Sequence, residues 1–146
     1  MSDMPPILVS ACLLGLKTRY DGESRPSAAA RAALAGATAI VVCPEQLGGL
    51  PTPRPPASAR GGTGEAVLDG QARVIDDDGR DVTAAFLAGA RAALEIARLT
   101  GARRAFLKER SGSCGVSEVY CDGRLVVGMG VCTALLRRAG LEVVGF

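Results

Sequence analysis

Residues 38–49 read TAIVVCPEQLGG. An unbroken apolar run climbs to Val42 and meets a thiol, a proline and a carboxylate in succession: Cys43, Pro44 and Glu45. A continuous rather than alternating apolar run predicts a parallel strand buried on both faces. Cys43 and Glu45 then stand where that strand leaves the sheet, at its carboxyl end. In open α/β sheets that edge is where ligands bind.

Working outward from this segment, strands and helices alternate. Residues 6–11, PILVSA, predict a first strand, followed by the loop CLLGLKTRYDGES. Residues 26–36, PSAAARAALAG, predict a helix with a proline near its start and Gly36 at its end. Four prolines and three glycines in residues 51–64 argue against regular structure there. The stretch EAVLDGQARVIDDDG, residues 65–79, reads as a hairpin with turns at Asp69-Gly70 and Asp78-Gly79. Asp81 is placed to cap a long helix over residues 82–100. Val82, Phe86, Ala90, Leu94 and Ala97 share one face of it, Arg91, Glu95 and Arg98 lie outside, and Gly101 follows the last turn. RRAFLKE at 103–109 is a third strand and RSGSCG its loop; residues 118–131 are an irregular or hairpin region. CTALLRRAG is a short helix and LEVVGF a final strand. This order predicts a single α/β domain over residues 1–146. It is Rossmann-like: a mostly parallel sheet, flanking helices and an inserted β-hairpin.

Composition narrows the chemistry. The chain has 146 residues, 48% of them hydrophobic, enough for one packed core. Aromatics are 3% with no Trp, which argues against a stacking platform for single-stranded nucleic acid. The net charge of +2 is too small for electrostatic capture of nucleic acid or an anionic membrane. MSDMPPILVS has no basic stretch and no long apolar segment of a leader, and no apolar run is long enough to span a bilayer. The expected location is the cytoplasm, where thiols stay reduced. Histidine is absent. That removes the usual general base, the usual zinc ligand and every Ser-His or Cys-His dyad. Any metal site must rest on the five cysteines, at 12, 43, 114, 121 and 132, with or without carboxylates. Thiolates point to Zn, Cu(I) or iron–sulfur clusters.

Three of the thiols share one topological position. Cys12 follows the first strand, Cys43 the second, and Cys114 lies in the loop after the third, so parallel strands would bring all three to one edge. For a single cysteine beside an apolar strand the ordinary role is a small buried hydrophobe, and that role fits Cys121 and Cys132. No CxxC pair exists, so neither a zinc ribbon nor a thioredoxin-like motif is supported. Glu45, Ser111 and Ser113 would enter the same crevice, although a solvated carboxylate and turn-forming serines are the alternatives. Gly61, Gly62 and Gly64 read better as a simple loop than as an anion-binding nest.

The segments SACLLG with RYDG at 19–22, CPEQLGGLPTPRPPA, LKERSGSCG and GMGVCTALLRRAGLEV resemble the thiouracil desulfidase family from about residue 7 to 145. The resemblance implies a [4Fe-4S] cluster held by Cys12, Cys43 and Cys114, with one iron lacking a protein ligand. It implies non-redox removal of sulfur from a thiolated pyrimidine base, 2-thiouracil-like, giving the oxo base and hydrosulfide. Three thiolates rather than four leave an iron open as a Lewis acid. A thiocarbonyl sulfur is a soft ligand for it, and with no histidine a carboxylate is the natural base. By the same resemblance Glu45 is the catalytic carboxylate and Ser111 the catalytic serine; Ser113, read from its place in the same crevice, is a substrate contact. Gly48 and Gly49 would keep side chains clear of the substrate.

The chain departs from that pattern in places. Thr18 stands where many relatives carry cysteine, so position 18 offers no fourth thiolate. Gly112 replaces a proline, which should loosen the loop that holds Cys114. Cys132 stands where relatives commonly carry threonine, and the YCDG segment is compressed. Two other readings compete: a zinc- or cluster-binding module without turnover, and a thiol enzyme using one free cysteine, the latter weakened by the absence of an activating base.

Overall fold

The computed structural model describes residues 4–146, so the first three residues of the leader reading lie outside it. Four short strands form a wholly parallel sheet: β1 (Ile7–Ser10), β2 (Ala39–Val42), β5 (Arg104–Leu107) and β8 (Glu142–Gly145), in the order β2-β1-β5-β8. Ile7 pairs with Ala39 on one side of β1 and with Arg104 on the other. The chain therefore runs from β1 outward to β2 and later returns to β1's other side. The order reverses between β1 and β5, and a crevice opens at such a reversal above the strands' carboxyl ends.

Both faces of this sheet are covered. Leu8, Ala105 and Leu107 face one core, packed by α4 (Thr83–Thr100) and α5 (Val131–Arg138). Ile7, Val9 and Phe106 face the other, with Ala30 and Leu34 of α1 (Ala28–Leu34). The double-sided burial expected of β2 is not found there, although β1 and β5 are buried on both faces. As the edge strand, β2 leaves Val41 exposed. Ser27 caps α1 by accepting from the Ala30 N–H at 3.1 Å. The long helix begins one residue later than predicted, at Thr83, with Val82 rather than Asp81 at its N-cap; beyond that Phe86, Ala90, Leu94 and Ala97 are buried as expected, and Gly101 ends it in the left-handed region at φ 78°.

The middle of the chain corrects the sequence reading. Regular structure does occur within residues 51–64, because β3 (Ala57–Arg60) starts immediately after Pro56. The prolines exclude regular structure only up to that point. Residues 65–79 are not a hairpin either. They form a helical turn, α3 (Gly64–Leu68), and β4 (Arg73–Asp76), which pairs antiparallel with β3. Ala66, Val67 and Leu68 make too short an apolar run for its period to separate strand from helix. A real hairpin lies in the 118–131 region, where β6 (Glu118–Cys121) and β7 (Arg124–Val127) turn at Asp122-Gly123. These four strands form a second sheet, β4-β3-β6-β7.

One helical turn, α2 (Pro44–Leu47), follows β2 directly. Proline suits the first turn of a helix, where its missing N–H has no partner to lose. Gly48 then lies against α4 so closely that a Cβ would overlap the Ala85 carbonyl, and Gly89 of α4 meets the Pro44 carbonyl in the same way. This contact seats α2, and with it Cys43 and Glu45. Among the described residues, no helix is long and apolar enough to cross a membrane.

Candidate functional site

A cavity of about 330 Å³ opens at the carboxyl edge of the parallel sheet, at the reversal between β1 and β5. Cys12, Cys43 and Cys114 all line it, together with Glu45, Ser111 and Ser113. Cys12 sits in a 3-10 turn over Ala11–Leu14 directly after β1. Cys43 follows β2 directly, as the residue before α2. Cys114 lies in the loop after β5. Cys121 and Cys132 are not part of the lining; Cys132 is buried in α5 and Cys121 lies in β6.

The Cys114 loop is held from two sides. The first N–H groups of α5 have no partner within the helix and donate to this loop instead: Val131 to Gly112 O at 3.2 Å, Cys132 and Thr133 to Ser113 O at 2.9 and 3.2 Å. A Cβ on Gly130 would overlap the Ser113 backbone, so only glycine allows this approach. At the loop's base, Glu109 Oε1 accepts from the N–H groups of Val116, Ser117 and Glu118 at 2.8, 2.7 and 3.1 Å. Burial pushes the Glu109 carboxyl up, but these N–H groups outweigh it and hold the pKa below the ordinary value. The loosening expected from Gly112 is therefore countered by fixed backbone contacts.

The two serines differ in position. Ser113 is buried, and its hydroxyl lies 3.1 Å from Glu45 Oε2 and 3.6 Å from Cys114 Sγ. Ser111 Oγ accepts from the N–H groups of Ser113 and Cys114, at 3.3 and 3.1 Å. The two hydroxyl oxygens are 3.2 Å apart. Since Ser111 Oγ already accepts twice, the consistent arrangement has Ser111 O–H donating to Ser113 and Ser113 O–H donating to the carboxylate. A hydroxyl chain thus ends on Glu45. Gly48 and Gly49, in contrast, do not line the cavity, and Gly48 serves the helix contact described above.

Sequence reasoning missed the partner of Glu45. Arg54 is buried, and its Nε donates to Glu45 Oε1 at 3.0 Å. The signal was available in principle: a carboxylate in a crevice without histidine requires a cation or several donors, and Arg54 is the one charge in the proline run. Lys108, Arg19, Tyr20 and Tyr120 also line the cavity unpredicted, as does Thr18 at the position where a thiol was expected to be missing.

Burial pushes the Cys114 thiol up to about 12, against hydrogen bonds from Ser10 and Ser113. Burial also raises Cys12, with the charges of Lys108 and Arg19 acting the other way. Lys108 is lowered by burial and partly restored by Cys12. These thiols hold their protons at neutral pH until a soft cation displaces them. Among the described residues, no three His, Cys, Asp or Glu side chains converge closely enough to hold a single metal ion. Ligands of one zinc ion all lie about 2.3 Å from one point. The thiolates of a multinuclear cluster bind different irons and stand further apart. Three thiolates with no histidine beside them are a donor set that fits an iron–sulfur cluster.

Comparison with known proteins agrees with this geometry. A family model described as 2-thiouracil desulfurase matches residues 7–145. The chain is 43% identical over 141 residues to YbbK of Bacillus subtilis (strain 168), an uncharacterized protein, covering 94% of this chain and 93% of that one. The solved structure of the [4Fe-4S]-dependent thiouracil desulfidase TudS superposes with a TM-score of 0.81 at 44% identity, covering 97% of this chain and 91% of that chain.

Proposed function

The chain belongs to the 2-thiouracil desulfurase family, and from that premise we propose that it removes sulfur from a 2-thiouracil-like base, releasing the oxo base and hydrosulfide. The observation that carries this reading is the cavity in which three strand-end thiols meet a carboxylate bonded to a serine. Cys12, Cys43 and Cys114 would hold a [4Fe-4S] cluster. When bound, that group supplies an iron without a protein ligand, a Lewis acid for the thiocarbonyl sulfur.

The chain's own residues supply the rest. Water attacking the thiocarbonyl carbon must lose a proton, and Glu45 Oε2 accepts it. Ser113 O–H holds that oxygen in place at 3.1 Å, and Ser111 O–H, behind it, keeps the Ser113 lone pairs from competing for the water proton. Lys108 and Arg19 bring positive charge beside Cys12, which favours anionic thiolates and an anionic leaving group. Planar substrate has two tyrosines at hand on the cavity wall, Tyr20 and Tyr120. The chemistry needs reduced thiols, so we place the protein in the cytoplasm.

A zinc module without turnover is the weaker reading, because both the family model and the superposed structure are of desulfurating proteins. The deciding experiment is anaerobic reconstitution with iron and sulfide followed by incubation with 2-thiouracil. A brown protein with about four irons per chain, releasing sulfide and uracil, is the expected result. A colourless zinc-loaded protein, or a loaded protein that releases no sulfide from any thiolated base, refutes the proposal.

A further inference from the structure

We propose that Arg54 is a positioning residue for this reaction: its guanidinium fixes the Glu45 carboxylate and ties it to the cavity wall that carries Cys43. This rests on the role given to Glu45 above.

The Arg54 side chain is only 4% exposed. A cation that far from water costs several kcal/mol unless its donors are used. Here they are used in three directions. Nη1 donates to Pro51 O at 3.2 Å and to Thr52 Oγ1 at 3.0 Å, within its own loop. Nη2 donates to Thr18 O at 3.0 Å, across the cavity wall, and lies 3.9 Å from Cys43 Sγ. Nε makes the remaining contact, to Glu45 Oε1 at 3.0 Å. The same carboxylate gives its other oxygen to Ser113. Held at Oε1 by a rigid planar fork and at Oε2 by a hydroxyl, the carboxylate cannot rotate.

The loop that delivers the guanidinium is itself stiff. Pro51, Pro53, Pro55 and Pro56 surround Arg54, and each fixes one backbone angle. Arg54 N–H donates to Tyr20 O at 2.8 Å, which anchors the loop to the segment after β1. Lysine could place a charge here but not the fork: an ammonium cannot bridge Glu45, Thr18 and the loop carbonyl in one plane. Arg54 therefore acts through Glu45.

The test compares wild type with Arg54→Ala, Arg54→Lys, Glu45→Gln and the double variant Arg54→Ala/Glu45→Gln, each reconstituted anaerobically. Iron per chain, kcat and KM for 2-thiouracil are measured on the same samples. Arg54→Ala should lower kcat roughly 10- to 100-fold, with KM and iron content near wild type. Arg54→Lys should fall between the two. The double variant should be no slower than Glu45→Gln alone, because no carboxylate remains to be positioned. Added guanidinium ion should partly restore kcat in Arg54→Ala and not in the double variant. The proposal is overturned if Arg54→Ala keeps wild-type kcat, if its loss and that of Glu45→Gln multiply, or if its kcat falls only in step with lost iron. Should Arg54→Ala fail to fold, Arg54→Lys with and without Glu45→Gln makes the same comparison. A wild type that releases no sulfide removes the role of Glu45 and this proposal with it; an active wild type with indifferent Arg54 variants removes this proposal alone.

Discussion

Replacing Ser113 by alanine should slow turnover far more than replacing Ser111, although the family resemblance favours Ser111. The difference follows from where each hydroxyl spends its proton. Ser113 Oγ is buried and lies 3.1 Å from Glu45 Oε2. A hydrogen bond to a charged group contributes about 1.5–3 kcal/mol. If all of it is expressed in the transition state, at about 1.4 kcal/mol per decade, kcat falls roughly 10- to 150-fold. Ser111 Oγ instead accepts two backbone N–H groups, from Ser113 and Cys114 at 3.3 and 3.1 Å. Neutral bonds of this kind are worth about 0.5–1.5 kcal/mol each, and they shape the Cys114 loop rather than the reacting carboxylate. Ser111→Ala should therefore lower thermal stability and cofactor retention, with kcat per bound cluster changed less than about 5-fold. The assay is anaerobic steady-state sulfide release from 2-thiouracil, normalised to iron in the same sample so that lost cofactor is not mistaken for lost chemistry. A Ser111→Ala protein slower per iron than Ser113→Ala would show that the hydroxyl chain has been read in the wrong direction.

Three other outcomes are expected. Gly48→Ala should destabilise the fold by about 1–3 kcal/mol through overlap with the Ala85 carbonyl, lowering Tm by roughly 3–9 °C; an unchanged Tm with a raised KM would instead return Gly48 to the substrate. Asp81 is held at about 2, below its ordinary 3.8, by the Thr83 hydroxyl and N–H and then by Arg73, so its contribution to stability is full above pH 4 and lost as pH falls toward 2. Asp81→Asn should accordingly be less stable than wild type at neutral pH, with the gap closing over that acid window in pH-dependent thermal melts; a gap that persists unchanged at pH 2 contradicts the linkage. Cys121→Ser should load iron like wild type while Cys114→Ser does not, and equal loss of iron in both would place Cys121 at the cofactor after all.

What could be read from sequence divides along physical lines. The strands β1 and β5 and the helix α4 were legible because burial on two faces leaves an unbroken apolar run, and burial on one helical stripe leaves a long periodic signature. So was the meeting of Cys12, Cys43 and Cys114, since parallel strands place equivalent ends side by side. The α3 turn and β3 were not, because Ala66–Leu68 carries no period and the prolines before Ala57 masked a strand that begins one residue later. Edge position, which exposes Val41, is a property of strand order and is invisible in TAIVV itself. Within the site, two serines two residues apart gave no hint of which hydroxyl faces the carboxylate, because that depends on how α5 grips the loop. Arg54 was hidden for a similar reason: its loop is placed by contacts to Tyr20 and Thr18, far away in the chain.

The precision of the Glu45–Ser113 contact has a structural origin that neither residue supplies. Glu45 rides on α2, a single turn with almost no intrinsic stability, and Ser113 sits in an irregular loop. Left alone, either would wander by far more than a hydrogen bond tolerates. Each is instead mounted on a longer helix through close backbone contact: α2 on α4 through Gly48 and Gly89, and the Ser113 loop on the start of α5 through Gly130. The two helices share one apolar core on the same face of the parallel sheet. Small residues on α4, Gly89, Ala90, Ala93 and Ala97, permit that close packing and leave little room for relative motion. The low aromatic content thus has a purpose in this fold. A core of small side chains brings backbones close, and close backbones register two short segments from distant parts of the chain against each other to hydrogen-bond accuracy.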